Sequence, residues 1–265
     1  MVEMDAQLNS KEIGPPIRIL NWSAWAPNLT AKAAWIDYLK SGTLSDVVVK
    51  KPPCKNVPEI LRRRCTFVTR MLLETSLDVF SGTGVAPDSA QMVFCSCHGE
   101  LQVLGSLLHD IHSEVPLSPT QFSNSVHHTA TGYFDLVTKN KQTSRTISAG
   151  MSSFVNGYLE AIGLLKIKPD RACLLVMADE TPAQPFAQDL KQPWNFSYAI
   201  AWLLELAKSN DRDACRLTRS ESSAPCTFDD KPPLSFLRWF VEKEEHCTLK
   251  TPNWSWTWTK NHYRP

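Results

Sequence analysis

Apolar residues recur along this chain with two periods, one near two residues and one near 3.6. Ile17 to Trp25 alternates loosely and carries aromatics, the pattern of a strand and its exit. Ala31 to Leu39 has short helical spacing, and Lys50 to Pro58, with three prolines, reads as a loop. From Glu59 to Phe80, the positions Phe67, Val68, Met71, Leu72, Thr75 and Val79 predict one long amphipathic helix behind a cationic first turn, Arg62-Arg63-Arg64. Met92 to Cys95 is a compact strand. Leu101, Leu104, Leu107, Leu108 and Ile111 mark the next helix, which leaves Ser96-Cys97-His98-Gly99-Glu100 as a strand-to-helix turn. Val126, Ala130, Tyr133, Phe134 and Val137 predict a helix from about Asn124 to Thr138. Ser144 to Ala149 alternates as a strand, Ser152 or Ser153 caps a helix through Leu165, and Ala172 to Met177 is an all-apolar strand for the middle of a sheet. Tyr198 to Leu206 fits strand or helix equally. Strand and helix alternate across residues 17–178, which predicts a layered α/β domain.

The texture changes from Asn210. Asp, Arg, Ser and Pro dominate until Pro233, Phe236 to Val241 makes a short helix, and Trp254, Trp256 and Trp258 alternate so that one strand face carries three indoles. Such a stripe packs on its own core or serves as a partner surface or aromatic platform. The chain thus divides into a polar lead-in (1–16), an α/β domain (17–207) and a C-terminal extension with a Trp-rich strand (208–265).

Composition narrows the function classes. The 265 residues are 43% hydrophobic and 21% charged, a globular mixture. Twenty-eight basic against 27 acidic residues leave a formal charge of +1, so no field favours nucleic acid. Met1 to Pro16 lacks the basic-then-apolar order of a signal peptide, and no apolar run approaches the ~18 residues of a membrane span, so a cytoplasmic chain is expected. The eight cysteines are scattered and read as reduced thiols. Cys95, Cys97 and His98 invite a metal, but a zinc site needs about four ligands and no second Cys/His pair of suitable spacing follows, so no metal is expected. With ten glycines, phosphate-cradling loops have little material, and nothing calls for a cofactor.

The segment Ser144 to Phe154 runs strand, sharp turn, helix. A residue on such a turn sits at a helix N-terminus, where backbone N–H groups and the dipole stabilise a thiolate or oxyanion. Ala149-Gly150-Met151-Ser152-Ser153 occupies the turn and holds no cysteine. Ser152 stands in a Gly-x-Ser context, but Phe154 replaces the second glycine of a G-x-S-x-G elbow, and Ser152 reads more simply as a helix cap.

Leu117-Ser-Pro-Thr-Gln-Phe-Ser-Asn-Ser-Val-His-His-Thr-Ala-Thr-Gly132, Ile147-Ser-Ala-Gly150, Tyr158-Leu-Glu-Ala161 and Met177-Ala-Asp-Glu180 together resemble the N-terminal half of β-ketoacyl synthases. With Arg62 to Arg64, Arg70 and Ser96 to Glu100, they are similar to the short synthase-like proteins found with aryl polyene biosynthesis genes. The resemblance covers about residues 17–207. It implies a thiolase-like fold, with a βαβαβαββ half as its unit. Active members carry a cysteine at the turn of the first half and two histidines from the second. Here the cysteine's place falls on Met151, or on Gly150 with one deletion. His246 and His262 lack the glycine-rich surroundings of the family's histidines.

A synthase-like chain without these groups resembles the chain-length factors of type II polyketide systems, which pair with a catalytic ketosynthase. That resemblance implies a heterodimer elongating carrier-bound acyl or aryl polyene chains. Thr120, Gln121, Phe122, Ser123, Val126, Thr129 and Tyr133 would reach into the partner's acyl tunnel, with Phe122 as the gate. The alternative for Phe122 and Tyr133 is an ordinary core role. His127 and His128, placed on the helix before the turn, and Ser144, Arg145, Thr146, Ile147, Ser148 and Ala149 would lie at the dimer axis. Arg62, Arg63 and Arg64 would dock an acidic acyl carrier protein. Independently, half of such a fold leaves an apolar sheet or helix layer uncovered and demands association. Two other readings stand beside this one. The first is a stand-alone acyltransferase or thioesterase using Ser152 or Cys97 with His98, His127 or His128 as base; the second is a homodimeric carrier-binding module.

Overall fold

The computed structural model describes residues 10–44, 48–182, 196–222 and 232–261. Nine strands form one sheet: β1 (Lys11–Glu12), β2 (Ile17–Trp25), β3 (Gln91–Cys95), β4 (Ser144–Ile147), β5 (Cys173–Asp179), β6 (Tyr198–Leu206), β7 (Cys215–Glu221), β8 (His246–Thr251) and β9 (Trp254–Lys260). The helices are α1 (Lys32–Ser41), α2 (Glu59–Arg62), α3 (Phe67–Asp78), α4 (Leu101–His112), α5 (Pro119–Ser125), α6 (Thr129–Thr138), α7 (Ser153–Ile167) and α8 (Pro232–Glu242). From β2 to β6 the elements run βαβαβαββ, as the resemblance implies. The strand order is β4-β3-β5-β6-β2-β7-β9-β8, with β1 paired to β7. β3 is parallel to β4 and β5, whereas β6 is antiparallel to both of its neighbours.

The alternation of side chains along each strand builds two cores. Val93 and Cys95 of β3, Leu175 and Met177 of β5, and Ile200, Trp202 and Leu204 of β6 face α1, α7 and α8. Met92, Phe94, Leu174, Val176, Ala199, Ala201 and Leu203 point the other way, onto α3 and α6. A sheet covered on both faces explains why β5 reads as an unbroken apolar run. Tyr198 to Leu206, undecided by periodicity, is a strand for the same reason, with seven residues in succession buried.

Several expectations are corrected. The long helix over 59–80 is two helices, because Thr66 accepts a hydrogen bond from Thr69 N at 3.0 Å and caps a new start. Arg62 therefore ends α2 rather than opening a long helix, and Arg63 and Arg64 lie in the connection. The helix expected from Asn124 is likewise interrupted: Val126 is extended, and His127 and His128 occupy a turn, with His128 at the N-cap of α6. Lys11–Glu12, within the stretch read as lead-in, is a strand paired with β7 on the edge opposite β9, the edge that Ile17 of β2 also joins.

The strands after residue 207 belong to the same sheet as those before it. The Trp-rich strand is core. Trp256 and Trp258 are buried, and Trp254 lies half-buried beneath the Arg219 guanidinium, whose carbon is 3.8 Å from the ring centroid. Phe236 of α8 brings this layer onto α7, with its ring 5.1 Å from that of Phe154, 5.7 Å from Tyr158 and 5.4 Å from Trp258.

Gly157 marks the tightest helix–sheet approach. A Cβ built there would fall 1.9 Å from Cys95 Sγ, so only glycine lets α7 lie this close to β3. Buried apolar residues line both faces of β3, β5 and β6, and a run of bare apolar side chains lies on α4, α5 and the segment joining them. Leu104, Leu108, Ile111, Val115, Leu117 and Phe122 are 42–62% exposed there, although the stripe on α4 had the spacing of a buried helix face.

Candidate functional site

Two strand-to-helix turns stand side by side at the C-terminal ends of β3 and β4, the place where open α/β sheets present their chemistry. The turn after β3 is Ser96 to Glu100, and the turn after β4 is Ser148 to Ser152. They are sewn together. Ser148 Oγ donates to the carbonyls of Ser96 (3.0 Å) and Cys97 (3.1 Å), and Ser153 Oγ donates to Ser96 O (3.1 Å) and Gly150 O (2.7 Å) while accepting from Ala149 N. Gly150 holds the reversal with φ +55°.

Gly150 and Met151 lie within this turn, immediately before the N-cap Ser152 of α7. Neither carries a group that attacks a thioester. The helix N-terminus is also closed to an incoming anion at two points, because Ser152 N and Ser153 N donate to Ala149 O (3.1 Å) and Gly150 O (3.0 Å). Ser152 occupies the cap position without a side-chain cap bond; Ser153 does the bonding.

The nearby nucleophile candidates are poorly prepared. Cys97 is buried and its thiol donates to Gly150 O at 3.1 Å. Burial and the adjacent Asp179 push its pKa far up, away from the thiolate. Burial pushes the imidazoles of His98 and His127 down. His128 Nδ1 lies 2.7 Å from Thr146 Oγ1 and so ties the α6 cap to β4. Among the described residues no hydrogen bond joins a histidine to Ser152 or Cys97. Cys95 is in the sheet core, and the described residues hold no group of three or more His, Cys, Asp or Glu placed for a metal. His246 is an exposed residue of β8, and His262 lies outside the described residues.

A cluster that sequence reasoning left without a role supports both turns. Asp179, at the end of β5, accepts from Ser96 Oγ (2.6 Å), Cys97 N (2.8 Å) and His98 N (3.4 Å), and Tyr198 OH donates to its other oxygen at 3.4 Å. Glu180 accepts from Gln102 N at 2.7 Å, and Glu100 accepts from the hydroxyls of Thr66 (2.7 Å) and Thr69 (3.2 Å). Burial pushes Asp179 up to about 6 and Glu180 and Glu100 to about 7; hydrogen bonds to each carboxylate pull the other way. The available signal was Asp179-Glu180 closing an all-apolar strand, where a carboxylate must find donors.

The other sequence-derived candidates fall around these turns. Ser144 to Ile147 are β4, which pairs only with β3 and leaves its outer edge open among the described residues. Ser148 and Ala149 continue from it into the turn. Thr120, Gln121, Phe122 and Ser123 lie on α5, Val126 in the following turn, and Thr129 and Tyr133 on α6. Phe122 is 62% exposed, which removes its core alternative, whereas Tyr133 is half-buried against the α3–α6 core. Arg62 donates to Pro53 O and Cys54 O, Arg63 pairs with Glu59, and Arg64 is exposed on a segment whose carbonyl accepts from Asn124 of α5. Arg62 is thus half-buried, and Arg63 and Arg64 are exposed.

The fold has counterparts among known proteins. Residues 33–259 match the model of the β-ketoacyl synthase N-terminal domain. The chain belongs to this family. Among solved structures it is similar to a chain of the Xenorhabdus doucetiae complex of a ketosynthase (ApeO) with its chain length factor (ApeC), at 25% identity and TM-score 0.75, over 92% of this chain and 99% of that one. It is also similar to the ishigamide ketosynthase/chain length factor (17% identity, TM-score 0.60, 83% and 69% of the two chains). A third match is AntDE:AntF, a type II acyl carrier protein in complex with its ketosynthase (12% identity, TM-score 0.58, 79% and 70%). No curated protein sequence matches the chain. The thiolase-like reading of the fold is thereby shown. Among the described residues no helix is long and apolar enough to cross a membrane.

Proposed function

We propose that this β-ketoacyl synthase family chain is a non-catalytic, chain-length-factor-like subunit that pairs with a catalytic ketosynthase. The observation that carries the reading is the β4–α7 turn. Where active members of the family are expected to hold their cysteine, it holds Gly150 and Met151, and its helix N-terminus is occupied by the turn's own carbonyls. The open edge of β4 and the bare apolar surface of α4 and α5 give a partner both a backbone ladder and an apolar contact. The Xenorhabdus match, which takes in nearly all of a chain from a ketosynthase–chain length factor complex, supports the same assignment.

In this role the partner performs the decarboxylative Claisen condensation on acyl chains carried by an acyl carrier protein. This chain completes the fold of the pair and closes the far end of the tunnel. Phe122 is the gate, with Thr120, Gln121, Ser123, Val126 and Thr129 around it. Arg63 and Arg64 remain the exposed basic residues for carrier docking. Co-expression with a catalytic ketosynthase of the family gives a stable heterodimer, and Phe122→Ala lengthens the products; an unchanged product distribution removes the gate. A covalent acyl adduct on the lone chain, abolished by Ser152→Ala or Cys97→Ala, would overturn the non-catalytic reading.

A further inference from the structure

A cavity of about 490 Å³, lined by no residue of the two turns, opens between β2, α1 and the end of α8. Its size falls within the roughly 300–1,000 Å³ of small-molecule sites. Ile19 and Trp22 of β2, Ile36 of α1, and Phe240 and Val241 of α8 give it apolar walls. Its charged groups are Lys260, Lys243 and Asp213.

Lys260 is the unusual member. It is only 6% exposed, and no described carboxylate lies in ion-pair range of its ammonium. Its three N–H donors meet two main-chain acceptors, Trp239 O at 3.4 Å and Phe240 O at 3.3 Å, both long for such bonds. The faces of Trp239 (4.8 Å to the centroid) and Phe240 (5.5 Å) supply the rest of its surroundings. Carbonyls at the end of a helix favour a cation, which accounts for a lysine here. They do not account for its enclosure beside an apolar cavity with a second lysine on the rim. Asp213 sits on the same cavity without closing an ion pair to Lys260, and Glu244 acts on Lys260 from nearby; the cavity lining itself carries two lysines and one carboxylate.

The geometry points to a binding site for an amphipathic carboxylate, its apolar chain lying against Trp22, Ile36 and Val241 and its carboxylate on Lys260 with Lys243. The site shares no residue with the α4–α5 face or the two turns, so it stands or falls apart from the subunit assignment.

Calorimetric titration of the full-length chain with decanoate, decan-1-ol and decylamine tests it. Decanoate binds at one saturable site, at least tenfold more tightly than decan-1-ol, and decylamine does not bind. Lys260→Met removes the preference for decanoate over decan-1-ol, and Val241→Trp, which fills the cavity, removes both. If Lys260→Met does not fold, Lys243→Gln on the exposed rim makes the same comparison and weakens decanoate several-fold while sparing decan-1-ol. Unsaturable decanoate, equal affinity for the acid and the alcohol, or full binding by Val241→Trp overturns the site.

Discussion

Helices α4 and α7 each follow a parallel strand through a short turn, yet they end in opposite surroundings. Nine residues of α7 are buried, because α8 and the Trp-rich strand lie over its outer side. Only Leu101 and Leu107 of α4 are buried, while Leu104, Leu108 and Ile111 face outward. Both helices are apolar enough to demand cover. The C-terminal segment supplies it for one, and on the other the described residues leave Leu104, Leu108 and Ile111 bare. Retained bare surface on one helix, in a chain that seals the other with aromatic rings, is the contrast on which the proposed partner contact at α4 rests.

The contrast is sharpened by four measurements. Phe236→Ala removes the ring that joins α8 to α7, and is expected to lower stability by about 3–5 kcal/mol in urea unfolding. A loss below about 1 kcal/mol would mean that the seal over α7 is loose. The carboxylates beneath α4 should set a pH slope. Glu100 and Glu180 are held near 7 in the fold, above the ordinary value of 4.5, so the folded chain binds more protons than the unfolded one between those values. Stability therefore falls as pH rises from about 4.5 to 7, by about 3 kcal/mol for each carboxylate, and Glu100→Gln or Glu180→Gln flattens the slope. Denaturation midpoints that stay level across this range in the parent chain would contradict the buried carboxylates.

On the bare side, Leu108→Asp should weaken capture of the co-expressed synthase at least tenfold, or about 1.4 kcal/mol, while leaving the chain's own stability within about 0.5 kcal/mol. Equal losses in both measurements would place Leu108 in the chain's own core. The smallest effect is expected of Arg63→Gln. It removes an exposed i,i+4 pair with Glu59, worth under about 0.5 kcal/mol by the same unfolding assay.

Much of this architecture could be read from the residues. The strand–helix alternation over 17–178, the all-apolar β5 and the indole stripe each follow from a period and an end signal. The breaks at Thr66 and at Val126 to His128 were less visible. Apolar spacing continues across both, and only a side-chain cap in one case and an extended residue in the other interrupts the helix. Exposure of the α4 stripe was not legible at all, because periodicity reports which face is apolar and not what covers it. The absence of a cysteine at the β4–α7 turn was plain from Gly150 and Met151. The contribution of Asp179 was not, since it depends on three donors from a turn more than eighty residues earlier in the chain.

The open edge of β4 bears on how the chain must be produced. A backbone ladder reads N–H and C=O groups rather than side chains, so the four residues of β4 accept any strand that arrives with the right polarity, including β4 of another copy. Discrimination has to come from what surrounds the ladder, such as the Arg145 side chain and the His128–Thr146 contact. Under the proposed pairing with a ketosynthase, copies made in excess of that partner have an outlet in pairing with themselves. Under the same proposal, matched dosage of the two subunits closes that outlet.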